Sequence, residues 1–414
     1  MKKYKYVILG GGTTAGYAAK QFVEEGIEKG ELRIITAEPI YPMDRPPLSK
    51  GFLKEEMEQN EILINEKSFY EEHGIDLELE TCAQSVNFGK KSIQLDNDEE
   101  IIYEKLLITT GAKLRRLNTK GSDLENVFYL RNVEQSKKIR EKAKKAEKAL
   151  VLGGQYIGSE LAAGLTQLGA KVTMVFPEDK MLAKFATADI ASFFQNYYRG
   201  KGVEIMQNEE VVEILGEQKV EQAGLKSGEK IETDMLVAGI GVEPNVTLFK
   251  NTGLNLNDGI VVNEYCETNI PDVYAAGDVA RFPDHIFDKM RRVEHWENAF
   301  EQGKHAAKVM SGNREPYEFL PYFFSDVFDL SYEFFGDTED TDAFFNRGNL
   351  KDGNFSTWWF KNDVLHAAFI MSSRPDEERE KAREWIKNKT IINAEEIEDE
   401  NNKLNEIINE NQNK

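Results

Sequence analysis

Short apolar runs alternate with amphipathic stretches through the first part of the chain. An apolar run at Tyr6–Leu9 precedes a helical pattern near Gly16–Glu25 and a second apolar run at Leu32–Thr36. This order is typical of a βαβ unit, in which a helix connects two parallel strands. The same order recurs at Ala149–Leu152, Gly158–Leu168 and Lys171–Phe176. The chain is therefore predicted to hold two α/β units of one type.

The later part of the chain has a different pattern. Further apolar runs predict strands at Lys105–Thr110, Met235–Gly239 and Val273–Ala276. A helix is expected near Glu297–Met310, and aromatic-rich strands are expected from Pro321 to Met371. From Ile392 onward the chain is rich in Asn, Glu and Lys, which predicts a frayed helix or a disordered tail.

The first βαβ unit carries a glycine-rich turn between its first strand and its helix. Gly10 permits a tight turn, and Gly12 lets the backbone approach a pyrophosphate closely. The small Ala15 precedes Gly16 at the point where the helix meets the strand. Glu38 follows at the end of the next strand, where a carboxylate accepts the ribose hydroxyls of an adenosine half. These features predict a dinucleotide site; a glycine turn without a ligand is the alternative.

A second fingerprint opens the second unit. Gly153 and Gly158 hold its first and third glycine positions, whereas Gln155 replaces the middle glycine. Because the pyrophosphate approaches this position, the Gln155 side chain must point away, or the ligand must lie further off. The remaining predicted contacts of this turn are Gly154, Tyr156 and Ile157.

An acidic residue follows the second fingerprint as well. Glu178 comes after the next strand, where it is placed to bond an adenosine ribose and to repel a 2′-phosphate. No arginine follows within this turn, although Lys180 is close. The second site is therefore predicted to bind NAD, with NADH preferred over NADPH.

The residues at two further strand ends favour a flavin at the first site. Asp278 follows Gly277 at a strand end, where its carboxylate is placed to bond the ribityl hydroxyls of FAD. A helix-capping role is the alternative for such an aspartate. Thr110 and Gly111 end another buried strand and complete this predicted set. Two dinucleotides in one chain indicate electron transfer between them.

Composition excludes several classes of function. The chain has 414 residues, 73 of them acidic and 52 basic, for a net charge of −21. Such a surface repels nucleic acid and anionic lipid. No apolar run reaches the length of a membrane span, and the N-terminus lacks the pattern of a signal peptide. We therefore expect a cytoplasmic protein that binds neither nucleic acid nor membrane.

Cysteine and histidine positions argue against two other chemistries. Cys82 and Cys266 are the two cysteines of the sequence, and they form no C-x-x-C pair. A disulfide reductase of related fold is therefore disfavoured, and both thiols are interpreted as small apolar residues. The scattered histidines lack the spacing of metal ligands, so no metal site is predicted.

These motifs resemble those of the FAD-dependent pyridine nucleotide oxidoreductases. That group includes ferredoxin reductases, apoptosis-inducing factor and monodehydroascorbate reductases, and the resemblance to the last is strongest. The segments that carry it are Arg45–Lys50, Tyr129–Arg131, Gly239–Asn245, Val273–Val279, Arg291–His295, Pro321–Ser325 and Tyr332–Asp337. In the third of these segments, the resemblance implies that Gly241 contacts NAD.

The resemblance also implies roles near the flavin ring. Arg45 and Arg131 correspond to cations that contact FAD, and Lys50 corresponds to a lysine beside the isoalloxazine that pairs with Glu160. A cation there favours hydride arrival, so Lys50 and Glu160 are the catalytic candidates; a solvated surface lysine is the alternative for Lys50. Glu294, His295 and Trp296 open a helix whose N-terminus is expected to stabilise the reduced ring.

Two positions depart from the monodehydroascorbate reductase pattern. Phe300 stands where those enzymes carry an arginine for the organic anion, and Phe324 stands where they carry a tyrosine. Loss of that cation and that hydroxyl argues against the ascorbate radical as substrate. Trp296 follows the ferredoxin reductase pattern more closely.

The predicted architecture is α/β, with a NAD-binding Rossmann domain inserted in a FAD-binding one and a C-terminal α+β domain. The FAD-binding domain is expected to comprise 1–115 and 250–315, and the NAD-binding domain 116–249. The C-terminal domain is expected at 316–391, followed by the polar tail at 392–414.

The predicted function is an FAD-dependent oxidoreductase that passes hydride from NADH to FAD and then electrons to an acceptor. Candidate acceptors are a ferredoxin-like protein, an organic radical such as monodehydroascorbate, a quinone or oxygen. The alternative is an NADH-sensing flavoprotein of the apoptosis-inducing-factor type that turns over slowly. A monomer or a homodimer is expected.

Overall fold

The computed structural model describes residues 2–408. Its helices are α1 Thr13–Glu24, α2 Lys67–Glu72, α3 Val133–Ala143, α4 Tyr156–Gln167, α5 Ala188–Gly200, α6 Trp296–Ser311 and α7 Asp376–Asn388. Its strands are β1 Lys2–Leu9, β2 Leu32–Ile35, β3 Asp76–Glu78, β4 Ala83–Asn87, β5 Ser92–Leu95, β6 Glu100–Ile108, β7 Ala112–Leu114, β8 Val127–Tyr129, β9 Lys148–Leu152, β10 Lys171–Phe176, β11 Glu204–Gln207, β12 Val211–Leu215, β13 Gln222–Leu225, β14 Lys230–Glu232, β15 Met235–Ala238, β16 Val242–Pro244, β17 Ile260–Val261, β18 Val273–Ala275, β19 Ala280–Asp284, β20 Lys289–Arg291, β21 Tyr322–Val327, β22 Leu330–Gly336, β23 Ala343–Asn349, β24 Asn354–Lys361 and β25 Val364–Met371.

The chain divides into two compact units. The first unit comprises 2–46, 58–113 and 242–319, and the second comprises 47–57, 114–241 and 320–408. The first thus contains most of the segments predicted for FAD. Most of the residues predicted for the NAD-binding and C-terminal domains lie together in the second unit. The three-domain boundaries stay a prediction.

A seven-stranded sheet forms the centre of the first unit. β3, β2, β1 and β6 run parallel in that order, β18 pairs with β6, and β5 and β4 extend the sheet in antiparallel pairing. Side chains of β1 alternate between two cores: Tyr6 and Ile8 join one, and Val7 and Leu9 join the other. Both faces are covered, as in parallel sheets generally, which explains the continuous apolar run.

The second unit combines two large sheets around one core. A five-stranded parallel sheet has the order β11-β10-β9-β15-β8, and a five-stranded antiparallel sheet has the order β21-β22-β25-β24-β23. Val151 and Met174 of the first sheet share a buried cluster with Phe323 and Phe369 of the second. Because the two sheets share this core, the predicted NAD-binding and C-terminal segments form one compact unit. β12, β13 and β14 form a smaller antiparallel sheet.

The prediction of a frayed or disordered tail is wrong for residues 392–408. Ile392 pairs with Ile408, and Ile397 and Leu404 are buried. The buried Arg347 donates from Nη1 to the carbonyls of Ile397 and Asp399, at 2.9 and 2.7 Å, and from Nη2 to that of Asn402 at 3.0 Å. A few apolar residues and one guanidinium hold a segment whose average composition is polar. Residues 409–414 of the predicted tail lie outside the described residues.

Residues 2–408 were compared with the requirements of a membrane-spanning helix and of a metal site. Within residues 2–408, no helix combines the length and apolar composition needed to cross a bilayer. The same residues contain no cluster of three His, Cys, Asp or Glu side chains arranged to hold a metal ion.

Arg347→Met is expected to release the C-terminal segment. Because the substitution removes the donor of the Ile397, Asp399 and Asn402 carbonyls, we expect a loss of about 2–4 kcal/mol in the free energy of unfolding of this region. Limited proteolysis followed by mass spectrometry should show faster cleavage within 392–408. The exposed Arg199 provides the matched control, and Arg199→Met should cleave like the wild type. Equal cleavage in both variants would show that Arg347 does not hold the segment.

Candidate functional site

The turn between β1 and α1 requires a glycine at position 10. Gly10 has φ +128°, and a Cβ there would lie 2.3 Å from the Thr109 carbonyl oxygen. Gly12 is the N-cap of α1, and a Cβ there would lie 3.2 Å from Nη2 of Arg45. The turn therefore leaves the first N–H groups of α1 next to a guanidinium. This arrangement suits a pyrophosphate.

Glu38 fits the adenosine ribose of FAD at the end of β2. Its Oε1 accepts from Arg45 Nη2 at 2.5 Å. Its Oε2 is buried and has no hydrogen-bond partner among the described residues. A buried carboxylate oxygen requires a donor, and a ribose hydroxyl supplies one. Glu38 and Arg45, both predicted from the sequence, are thus brought together.

The other predicted FAD residues of the first unit follow the ends of β18 and β6 or lie in α1. Gly277 has φ +78°, and its N–H donates to Gln302 Oε1 at 2.8 Å. Asp278 follows in a short 3₁₀ turn, and its carbonyl accepts from Arg292 at 3.2 Å. Thr110 Oγ1 donates to the Asn245 carbonyl at 2.8 Å, and Gly111 has φ +62°. Ala15 and Gly16 lie in the first turns of α1, where Ala15 is fully buried.

Helix α6 begins at Trp296, as predicted, with His295 as its N-cap and Glu294 just before it. Trp296 Nε1 donates to Asp44 Oδ1 at 2.5 Å, and the Tyr17 hydroxyl donates to Asp44 Oδ2 at 3.3 Å. Burial raises the pKa of the Asp44 carboxyl, although both hydrogen bonds act in the opposite direction. Asp44 and Tyr17 were not predicted from the sequence, because no local pattern connects Asp44 with Trp296, which lies 252 residues away.

The second fingerprint repeats the first geometry. Gly153 has φ +117°, and a Cβ on Gly158 would lie 2.1 Å from the Gly153 carbonyl oxygen. A Cβ on Gly154 would lie 2.7 Å from the Phe176 ring. Ile157 is 44% exposed, whereas Tyr156 packs its ring 4.4 Å from that of Phe323. Tyr156 thus joins the aromatic core, and α4 presents its first N–H groups at the turn.

Glu178 and Gln155 meet at the end of β10. Gln155 Nε2 lies 3.5 Å from Glu178 Oε1. The other oxygens of both groups, Glu178 Oε2 and Gln155 Oε1, are buried without a hydrogen-bond partner among the described residues. This site therefore also fits an adenosine ribose. Gly241 has φ +93° and accepts through its carbonyl from the Arg115 N–H at 3.1 Å.

The predicted pair of Lys50 and Glu160 forms within the second unit. Lys50 Nζ lies 2.5 Å from Glu160 Oε1, and the two side chains are 15% and 5% exposed. Ser325 Oγ donates to the same oxygen at 2.6 Å, and Ser49 Oγ donates to Glu160 Oε2. Lys50 Nζ also lies 5.7 Å from the centre of the Phe324 ring. A buried carboxylate with three donors fixes the position of the Lys50 ammonium.

Ser49 and Ser325 were missed by the sequence analysis. Ser49 directly precedes Lys50 in the segment Arg45–Lys50, so its position next to a predicted catalytic residue could have indicated it. Ser325 lies 165 residues from Glu160, and no local pattern marks it. Arg131, predicted beside the flavin, precedes the capping box formed by Asn132 and Gln135 at the start of α3.

The two cysteines lie in different environments. Cys82 is exposed and Cys266 is buried, and both are free thiols. Burial raises the pKa of the Cys266 thiol, so this sulfur stays protonated and unreactive at neutral pH. The geometry offers no dithiol pair.

Comparison with known proteins agrees with this geometry. The profile of the pyridine nucleotide-disulphide oxidoreductase family matches residues 4–303, and that of the monodehydroascorbate reductase 3-like C-terminal domain matches residues 320–405. A monodehydroascorbate reductase of Pisum sativum is 37% identical over 402 residues, which cover 91% of this chain and 92% of that protein. Monodehydroascorbate reductase 4, peroxisomal, of Arabidopsis thaliana is 37% identical over 421 residues, which cover 96% and 86%.

Solved structures show the same fold. The crystal structure of the covalent putidaredoxin reductase–putidaredoxin complex matches with a TM-score of 0.93 and 27% identity, covering 98% of each chain. The predicted α/β fold with Rossmann-type dinucleotide-binding folds is thereby confirmed.

The chain belongs to the pyridine nucleotide-disulphide oxidoreductase family. It is an FAD-dependent oxidoreductase that passes electrons from a reduced nicotinamide nucleotide to an acceptor, as the sequence predicted.

Lys50→Met is expected to slow flavin reduction while FAD stays bound. The substitution removes the buried ammonium but keeps an unbranched chain, so we expect reduction by NADH to slow about 10- to 100-fold. Stopped-flow absorbance under anaerobic conditions measures this rate. Lys54→Met serves as a control in the same segment, because Lys54 pairs with Glu56 rather than Glu160. A Lys50→Met enzyme that is reduced at the wild-type rate would refute the assigned role.

Proposed function

We propose that this flavoprotein takes electrons from NADH and delivers them to a small, negatively charged organic radical of the monodehydroascorbate type. The observation that carries this proposal is the position of the Lys304 ammonium on α6, beside the aromatic rings of Trp296 and Phe300 in the first turns of the same helix. The named relatives, which reduce monodehydroascorbate by their printed names, support it over most of the chain.

The aromatic patch consists of Tyr17, Trp296, Phe300 and Lys304. The rings of Trp296 and Phe300 stack with centres 5.5 Å apart, and those of Tyr17 and Phe300 lie 4.3 Å apart. Lys304 Nζ lies 4.7 Å from the centre of the Phe300 ring. Positions 300 and 304 are one turn apart on the same face of α6. Lys304 thus supplies a cation close to the position where the resembling enzymes carry their arginine.

A flat organic anion suits such a patch. Aromatic faces stack against a planar ring, while an ammonium attracts its charge. This revises the expectation from Phe300 alone, because the charge missing at position 300 is present at position 304. Recognition by this patch would rest on stacking and charge.

Different residues of the protein would bind FAD and position charges near it. When bound, FAD accepts hydride and releases electrons singly. Glu160, held by Ser49 and Ser325, fixes the Lys50 ammonium, and the N-terminus of α6 offers its free N–H groups to developing negative charge. Glu38 and Arg45 would hold the adenosine half of FAD.

We also propose that NADH is preferred over NADPH. Glu178 presents a buried carboxylate oxygen without a partner among the described residues. A ribose hydroxyl donates to that oxygen, whereas a 2′-phosphate would place a second negative charge against it.

A second candidate acceptor is an electron-carrier protein, which the putidaredoxin complex favours. The net charge of −21 opposes docking of an acidic carrier. Arg115 and Arg116 form a basic pair that an acidic carrier could contact, and Arg116 lies 4.2 Å from the centre of the Tyr129 ring.

We infer a cytoplasmic location from the sequence, although a relative is named peroxisomal. Cell fractionation decides between these compartments. The proposed monomer or homodimer is decided by sedimentation of the purified protein.

Lys304→Met is expected to weaken turnover with an anionic acceptor selectively. We expect KM for enzymatically generated ascorbate radical to rise about 3- to 10-fold, with KM for a neutral quinone unchanged, because only the anion loses an attraction. Steady-state NADH oxidation measures both, with Lys308→Met as the control one turn further along α6. Wild-type protein that ignores ascorbate radical but reduces a ferredoxin rapidly would instead favour the second candidate.

Glu178→Gln is expected to narrow the preference for NADH. Because the substitution removes the negative charge, kcat/KM for NADPH should rise about 5- to 10-fold while that for NADH falls. The exposed Asp179 in the same turn gives the control Asp179→Asn, which should leave the ratio unchanged. A Glu178→Gln enzyme with the wild-type ratio would remove Glu178 from nucleotide selection.

A further inference from the structure

We propose that Gln155 is a specificity-determining residue for the nicotinamide nucleotide: it orients Glu178 and accepts a hydroxyl of the adenosine ribose. This inference rests on the proposed preference for NADH. The residue stands where the fingerprint has its middle glycine, so the replacement itself calls for a physical reason.

The backbone accommodates a side chain at this position without strain. Gln155 is the N-cap of α4 with φ −95° and ψ −167°, an extended conformation open to every L-residue. The turn is held on both sides: the Gly153 N–H donates to the Val175 carbonyl at 2.9 Å, and the Leu182 N–H donates to the Gly154 carbonyl at 2.8 Å. The segment that carries Glu178 is therefore tied to the turn that carries Gln155.

The chemistry of the contact fixes which way the amide faces. Gln155 Nε2 lies 3.5 Å from Glu178 Oε1, and an ionised carboxylate only accepts hydrogen bonds. The amide therefore turns its NH₂ group to the carboxylate. This leaves Gln155 Oε1 and Glu178 Oε2 as the acceptors that the contact does not use. Both are buried without a partner among the described residues.

Two buried acceptors without partners require two donors. The 2′- and 3′-hydroxyls of an adenosine ribose supply a pair of donors on neighbouring carbons. A 2′-phosphate replaces one of them with an anion that has only acceptors, which leaves a buried oxygen unsatisfied and adds repulsion from Glu178. The pair of Gln155 and Glu178 thus selects the unphosphorylated ribose.

The first fingerprint provides an internal comparison. There the middle position is Gly12, and the carboxylate of Glu38 is oriented by Arg45 at 2.5 Å. An arginine neutralises the carboxylate that it orients. Gln155 orients Glu178 without a charge, so the full negative charge of Glu178 remains to repel a phosphate.

The test measures binding to the FAD-loaded protein rather than turnover. Isothermal titration compares ADP-ribose with 2′-phospho-ADP-ribose for the wild type, Gln155→Met and Gln155→Gly. Methionine keeps the bulk and removes the acceptor, whereas glycine restores the fingerprint. We expect both variants to bind ADP-ribose about 5- to 10-fold more weakly than the wild type. The ratio of the affinities for ADP-ribose and 2′-phospho-ADP-ribose should fall by at least the same factor. Gln167→Met, at the exposed end of α4, should change neither affinity.

The outcomes separate this inference from the function on which it rests. Should the wild type bind both ligands equally, the NADH preference fails and the role of Gln155 fails with it. If the wild type discriminates but both variants keep the wild-type ratio, only the role of Gln155 is overturned. Tighter binding of both ligands by Gln155→Gly alone would likewise overturn it, since Gln155 would then act as an obstacle to the pyrophosphate. Flavin absorbance and melting temperature verify that each variant is folded.

Discussion

The structure depends on one steric constraint that occurs twice: a strand must turn into a helix so tightly that no Cβ fits. Gly10 and Gly153 both adopt φ above +100°, and a side chain on either would collide with a carbonyl of a neighbouring segment. The tight turn leaves the first N–H groups of α1 and α4 unpaired by the helices themselves. These groups and the helix dipole give each unit an anion site. The parallel strands, their buried apolar runs and the acidic residues that follow them are arranged around these two turns.

Carboxylates with at least one buried oxygen are a second feature on which the structure depends. Three carboxylates near the predicted sites are held by different partners: Glu38 by Arg45, Glu178 by Gln155, and Glu160 by Lys50 and two serines. Burying a carboxylate is costly unless donors compensate for lost water, so each partner is needed for stability as well as for position. The partner also decides what the carboxylate can still do. The Arg45 guanidinium neutralises the charge of Glu38, whereas the uncharged Gln155 amide leaves the charge of Glu178 in place. At Glu160 the roles are reversed, because the carboxylate fixes the position of the Lys50 ammonium.

Much of the fold could be predicted from the sequence, because the signals are local. The period of the apolar runs located β1, β9 and β10, and the fingerprints located the turns, although α4 begins at Tyr156 rather than at Gly158. Pairs distant in sequence could not be found in this way. Ser325 meets Glu160 across 165 residues, and Asp44 meets Trp296 across 252. The C-terminal segment was predicted wrongly because average polarity conceals the isolated Ile397 and Leu404, whose burial depends on the distant Arg347.

The central claim is that one chain holds both FAD and a nicotinamide nucleotide and passes electrons between them. The most direct test is an anaerobic titration of the purified, FAD-reconstituted protein with NADH, followed by flavin absorbance. We predict that the absorbance of the oxidised flavin bands falls in proportion to the added NADH. Bleaching should be complete near one NADH per FAD. Protein that takes up no FAD, or whose bound flavin keeps its colour under excess NADH, would contradict it.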